Sequence, residues 1–294
     1  MSSPGVENAD RPLLGIAWML VTMFWFVSLD AMAKYLMQSY PVAQVVWARF
    51  FFHVIFVLIA MGFNARLQTK SQSIVLQCSR SFFMLTTTVL FFVGLHLLPL
   101  ATAATIMFVS PIFVTILSIF LLKEKVGVRR WAGVATGFVG AIVVVRPGLQ
   151  GFDWSVLFVL AAAFTHAFYQ VFTRKVRLYD SPITSLFYTG LVGALVMTVV
   201  VPFHWQSVEV SDYLLLVSLG VAGGVGHLCL IRAFRSAPAS VVAPFSYTSL
   251  IWATLFGYAL FSDLPDRWTL IGACLIIGSG LYIFHRERVT RESE

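Results

Sequence analysis

Residues 76–122 read LQCSRSFFMLTTTVLFFVGLHLLPLATAATIMFVSPIFVTILSIFLL. They hold two apolar runs, 76–98 and 100–122. Each is long enough to span a bilayer, which takes about 20 apolar residues. Only Leu98-Pro99-Leu100 separates them. Proline starts a helix readily, because the N–H it lacks would have no partner at that position. Spans joined this tightly must be antiparallel. Carried outward, the same reading gives ten spans, at about 12–37, 42–62, 76–98, 100–122, 128–146, 153–175, 182–202, 212–234, 239–261 and 268–285. Ser236-Ala237-Pro238 joins the eighth to the ninth as Pro99 joins the third to the fourth. The predicted fold class is all-α integral membrane.

Composition agrees. The chain has 294 residues, of which 59% are hydrophobic and 11% charged, and its mean hydropathy is +0.87. Typical soluble domains carry about 25% charged residues. Ten spans take up roughly 200 residues, which leaves no room for a soluble domain. The Lys and Arg residues sort into alternate loops. Sixteen fall on one side: Arg11, Arg66, Lys70, Arg80, Lys123, Lys125, Arg129, Arg130, Arg174, Lys175, Arg177, Arg232, Arg235, Arg286, Arg288 and Arg291. Lys34, Arg146 and Arg267 fall on the other, and Arg49 sits inside a span. Short cytoplasmic loops retain Lys and Arg, so both termini are predicted to be cytoplasmic. The net charge of +7 then faces anionic headgroups of the lipid bilayer, and nucleic acid is not an expected partner.

Cys78, Cys229 and Cys274 show no paired spacing, so neither a disulfide frame nor a metal site is expected. The N-terminus has no basic region before its first apolar run, which argues against a cleavable leader and makes span 1 the insertion signal. Neither Asn8 nor Asn64 begins an Asn-x-Ser/Thr sequon. Short loops without glycosylation sites suit a bacterial inner membrane.

The chain repeats itself. At an offset of 139 residues Pro99 meets Pro238, Thr115 meets Thr254, Glu124 meets Asp263 and Gly133 meets Gly272. With a small gap near the start of each half, Pro41 meets Pro182. The expected organisation is two five-helix repeats, residues 1–148 and 149–294. Five is odd, so the second copy enters the membrane inverted. Inverted repeats are a transporter device, with the site at the repeat interface and alternating exposure to the two sides.

The chain resembles the drug/metabolite transporter superfamily, in its EamA-type branch. The resemblance covers residues 12–285. It is carried by Lys34-Tyr-Leu, Pro41 and Arg49-Phe-Phe-Phe52, then by Leu98-Pro99-Leu100-Ala-Thr-Ala-Ala-Thr105 leading to Ser110-Pro111. Lys123-Glu124-Lys125, Arg130-Trp131-Ala-Gly133 and Gly137 complete it. The Arg49–Phe52 segment and Ala243-Pro244-Phe-Ser-Tyr247 resemble a branch that includes S-adenosylmethionine carriers; Ser246 departs from that branch's pattern.

Arg49 is the main candidate for function. An arginine at a span centre costs roughly 2.5–3.5 kcal/mol on insertion scales, so it should face the bundle interior. It either binds a substrate carboxylate or phosphate or is a structural partner for Asp30 or for free carbonyls. His53 lies one turn deeper on the same face. Asp30, the one acidic residue in the interior of a span, either attracts a cationic group or proton or pairs with Lys34 at i+4. In span 6, Thr165, His166, Tyr169 and Gln170 form a polar stripe, and Gln170 falls beside Asp30 in the inverted frame. The stripe lines the pathway or ties helices. His227 follows Gly223-Gly224-Val-Gly226, a cluster that either permits close packing or marks a helix break. Tyr188, Tyr247 and Trp252 could stack on a ring or cation or serve only as packing. Pro111 and Pro244 are candidate gating points, since proline frees a carbonyl and bends a helix. Gly133-x-x-x-Gly137 suits close packing within the molecule or in a dimer.

These features favour a secondary transporter of a small polar or zwitterionic, amino-acid-like metabolite. A coupled proton would have Asp30 and the spanning histidines as its carriers. No catalytic residue, metal or cofactor is predicted. A Walker A motif is absent. An intramembrane lipid-modifying enzyme would need clustered acids or an HExxH motif, and the sequence offers neither; a channel or non-transporting receptor has no supporting feature. The oligomeric state, monomer or homodimer, stays open.

Overall fold

The computed structural model describes residues 11–62, 68–122, 128–145 and 154–292. Arg66, Lys123, Glu124, Lys125 and Arg146 lie outside the described residues. The described residues are helical and contain no strand. In chain order the helices are α1 (Pro12–Leu36), α2 (Val42–Met61), α3 (Ile74–Leu97), α4 (Leu100–Met107), α5 (Ser110–Leu122), α6 (Val128–Val145), α7 (Ser155–Val176), α8 (Pro182–Val200), α9 (Tyr213–Ser236), α10 (Ala239–Val242), α11 (Ser249–Phe261) and α12 (Arg267–Glu292). Among the described residues, seven helical runs are long and apolar enough to cross a membrane.

Three of the ten predicted spans depart from that standard. The apolar parts of α6 and α12 are short, Trp131–Val145 and Arg267–Tyr282. The ninth span is broken: α10 gives way to a 3₁₀ turn over Ala243–Thr248 before α11 begins. Pro244 opens that turn, where it removes an i→i−4 donor. The fourth span is broken too, between α4 and α5. Phe108 N–H donates to the Thr105 carbonyl at 3.1 Å, and Val109 N–H donates to the Ile106 carbonyl at 3.0 Å. Both are i→i−3 bonds, placed immediately before Pro111 instead of in a smooth mid-span bend.

The helices form a ring. In the order α7, α3, α8, α2, α9, α1, α11 and α4, each packs on the next, and α4 returns to α7. α6 and α12 pack on each other. Close approach in the ring depends on α9, which stays unbroken through its glycines. A methyl group at Gly220 would collide with the His53 backbone nitrogen, and one at Gly224 with the Phe56 ring. The glycine cluster is therefore a packing surface, Gly224 for α2 and Gly226 for Phe26 of α1, and α9 is not broken there.

One end of the bundle carries Asp180 and the α2–α3 connection; the other carries Asp263 and the α3–α4 turn. At the Asp263 end, Lys34 Nζ lies 3.6 Å from Asp263 Oδ2 and donates to the Leu98 carbonyl at 2.5 Å. This corrects the expected Asp30–Lys34 pair: Lys34 turns outward, to a partner far away in sequence. At the Asp180 end, the Asp180 carboxylate accepts from Ser71 Oγ, from the Gln72 N–H at 2.8 Å and from Gln77 Nε2 at 2.9 Å. Burial alone would push this carboxyl up. Those three donors and the nearby Arg80 charge outweigh burial and hold it below the ordinary carboxylate range.

Candidate functional site

Polar side chains from four helices converge inside the ring. Arg49 of α2 is half-buried. Its Nη1 donates to Thr88 Oγ1 of α3 at 2.9 Å, and its guanidinium lies 5.5 Å from the Phe50 ring and 5.4 Å from the Phe92 ring. The charge on Arg49 acts on Asp30 of α1, His53 of α2, His166 of α7 and His227 of α9. α7 is not a ring neighbour of α2, so these groups share one interior. Asp30 is half-buried and has no hydrogen-bond partner among the described residues. The hydrogen bond to Thr88 ties α2 to α3, and Arg49 forms no ion pair with Asp30 among the described residues.

The α7 stripe faces the same interior. Thr165 Oγ1 lies 2.9 Å from Thr87 Oγ1, so this member of the stripe ties α7 to α3. His166 Nδ1 lies 3.3 Å from Ser110 Oγ, and Gln170 Nε2 lies 3.3 Å from both. The His166 and Tyr169 rings stack at 5.6 Å. All four stripe residues are half-buried. Ser110 is the first residue after the helix break, so the break brings a hydroxyl to the stripe.

His53 sits deeper and is 5% exposed. Its ring lies 6.0 Å from that of His227, and its Nε2 has no partner among the described residues. His227 Nδ1 lies 2.8 Å from the Gly223 carbonyl, and its ring meets Phe26 edge-on at 4.9 Å. Trp252 meets Phe24 of α1 edge-on at 5.2 Å, within the α1–α11 contact. Tyr188 lies apart, near Cys78 and Asp180. Pro244 and Tyr247 line an apolar cleft of about 590 Å3 shared with Ile251 and Leu270. The Tyr247 ring also meets Phe108 edge-on at 5.0 Å.

One functional-looking residue escaped the loop count. Arg80 lies within α3 and is 2% exposed. Its Nη2 donates to the Ser185 carbonyl at 2.7 Å and to Thr189 Oγ1. Its guanidinium lies 5.0 Å from the Tyr169 ring. Arg49 is therefore not the one base left unexplained by loop topology. The signal was present in sequence, since Arg80 lies several residues inside an apolar run.

Seven helical runs long and apolar enough to cross a membrane, ringed around a half-buried polar interior, define a multi-pass membrane protein. The EamA-like transporter family model matches residues 13–146 and again 153–284, and the chain belongs to that family. It is thus a small-metabolite transporter and not an enzyme. It is 30% identical to an S-adenosylmethionine uptake transporter of Rickettsia felis over 276 residues, 94% of each chain. It is also 30% identical to one of Rickettsia prowazekii over 285 residues, 96% of each. It is 29% identical to a riboflavin transporter of Vibrio cholerae over 287 residues, 93% of each. A solved structure 19% identical to it, covering 96% of this chain and 98% of that chain at a TM-score of 0.64, has the same fold.

Proposed function

We propose that this chain carries an amino-acid-like zwitterion of the S-adenosylmethionine type across a bacterial inner membrane by alternating access. The observation that carries this reading is the pair of ionisable groups in one interior, the Arg49 guanidinium and the Asp30 carboxyl, the latter without a hydrogen-bond partner among the described residues. A zwitterion offers a carboxylate to the first and an ammonium to the second. Such charge-assisted contacts form only if both protein groups are left unpaired with each other, as they are here. The names of the Rickettsia relatives support the same substrate class. Riboflavin is uncharged and could not use the pair.

In this reading the chain crosses the membrane ten times as two inverted repeats, with both termini and the Asp180 end in the cytoplasm. Arg11, Lys70, Arg174, Lys175, Arg177, Arg232 and Arg235 gather at that end, and Lys34 and Arg267 at the other, which supports the orientation. Two successive matches to one family model support the two copies.

The test is exchange of radiolabelled S-adenosylmethionine in proteoliposomes. Arg49→Ala should lower kcat/KM roughly ten- to hundredfold, the worth of a hydrogen bond to a charged group. Excess riboflavin should not compete. Saturable exchange that survives Arg49→Ala unchanged would sink the proposal.

A further inference from the structure

Four buried side-chain polar atoms lack a partner among the described residues: His53 Nε2, Gln77 Oε1, Arg80 Nε and Ser81 Oγ. Three of the four fall on one turn of α3. Residues at i, i+3 and i+4 share a helix face, and this face meets α8. Gln77 Nε2 donates to Ser185 Oγ at 3.0 Å, and Arg80 is bound to Ser185 and Thr189. Gln77 and Ser81 are 0% exposed and Arg80 is 2% exposed. Each orphaned polar atom costs about 1–3 kcal/mol, so packing alone gives no reason to keep three together.

We propose that Gln77, Arg80 and Ser81 form a second binding site for an α-amino-acid group, between the Arg49 site and the Asp180 end. The unused groups match such a ligand. Arg80 Nε–H and the Ser81 hydroxyl donate to a carboxylate; Gln77 Oε1 accepts from an ammonium. Position supports the match. Thr88, which holds Arg49, lies eight residues along α3 from Arg80, roughly 12 Å at 1.5 Å per residue. Tyr169 of the α7 stripe reaches the level of this turn: its ring lies 5.0 Å from the Arg80 guanidinium. A carboxylate released by Arg49 toward the Asp180 end meets Arg80 next.

The inference rests on the transport reading above, and one experiment separates the two. Exchange of S-adenosylmethionine is measured in right-side-out and inside-out vesicles. Arg80→Gln should raise KM about tenfold at the cytoplasmic face and leave the external KM within about twofold. Ser81→Ala removes a hydroxyl that has no internal partner, so folding should tolerate it; it should raise the cytoplasmic KM about threefold. Decarboxylated S-adenosylmethionine lacks the anion, so Arg80→Gln should leave its KM unchanged. If the unaltered protein exchanges S-adenosylmethionine but Ser81→Ala changes neither KM, or Arg80→Gln changes both alike, the second site is overturned and the carrier reading stands. If the unaltered protein exchanges none, both fall.

Discussion

The ammonium of Lys34 joins three parts of the chain. It donates to the carbonyls of Leu98, at 2.5 Å, and Leu95, at 3.5 Å, which close the end of α3. It lies 3.6 Å from Asp263 and 5.3 Å from the Phe261 ring. A cation at a helix C-terminus satisfies carbonyls that have no intrahelical partner. The Lys34 side chain is 10% exposed and that of Asp263 35%, so the carbonyl contacts outweigh the screened ion pair. Lys34→Met should therefore lower stability by about 1–3 kcal/mol, read as a lower melting temperature in detergent. Asp263→Asn should cost less. The opposite ranking would mean that the ion pair dominates. The sequence pointed Lys34 at Asp30 because i+4 is the one pairing visible locally. Its real partners depend on how α3 and the α11–α12 connection meet, and no local pattern encodes that.

Between elements, Asp180 ties the α2–α3 connection to the start of α8. It accepts from Ser71, Gln72 and Gln77, and Thr184 Oγ1 donates to the Gln68 carbonyl at 2.7 Å beside it. Because the folded carboxyl lies below its ordinary range, its contribution to stability is complete above the unfolded value near 3.9. It is lost as pH falls through the folded value. At pH 7, Asp180→Asn should cost about 1–2 kcal/mol through weakened hydrogen bonds. Melting curves taken down to pH 3 should show the variant and the unaltered protein converging below about pH 4; a constant gap would assign the effect to packing. The elements themselves were largely legible, because each apolar run of 76–98 or 182–202 has no alternative to a helix in lipid. The breaks were less so. Pro111 and Pro244 announced irregularity, but whether proline bends a helix or replaces a turn by 3₁₀ depends on what packs beside it. Arg80 was misplaced for a related reason: counting charges by loop treats every base near a span end as solvated, although this one lies inside the run 76–98 and is buried by the α3–α8 contact.

Across the whole molecule, the proposed inverted repeat at an offset of 139 residues makes a geometric demand. Phe108, in the break of the fourth span, touches Tyr247, its equivalent in the ninth. In the α6–α12 contact, a Cβ on Gly137 would meet Ser279 Oγ at 2.6 Å, and one on Gly140 would meet Ile276 Cγ1 at 2.9 Å. The offset carries Gly137 to Ile276 and Gly140 to Ser279, so each contact maps onto the other, as a two-fold axis between the halves demands. Gly137 packs within the molecule on both sides, since its Cβ would also meet Ile112 Cδ1 of α5, in its own half, at 2.5 Å. The proposed axis makes a paired prediction. With Cys78, Cys229 and Cys274 replaced, Gly137→Cys with Ser279→Cys and Gly140→Cys with Ile276→Cys should both oxidise to disulfides, because in both pairs the partner's side chain lies against the new Cβ. Gly137→Cys with Gly272→Cys is out of register and should not. The cross-linked chains should run as monomers on a denaturing gel, with mobility restored by reductant. Cross-linked dimers would place this surface between molecules, and closure of one pair without the other would remove the axis.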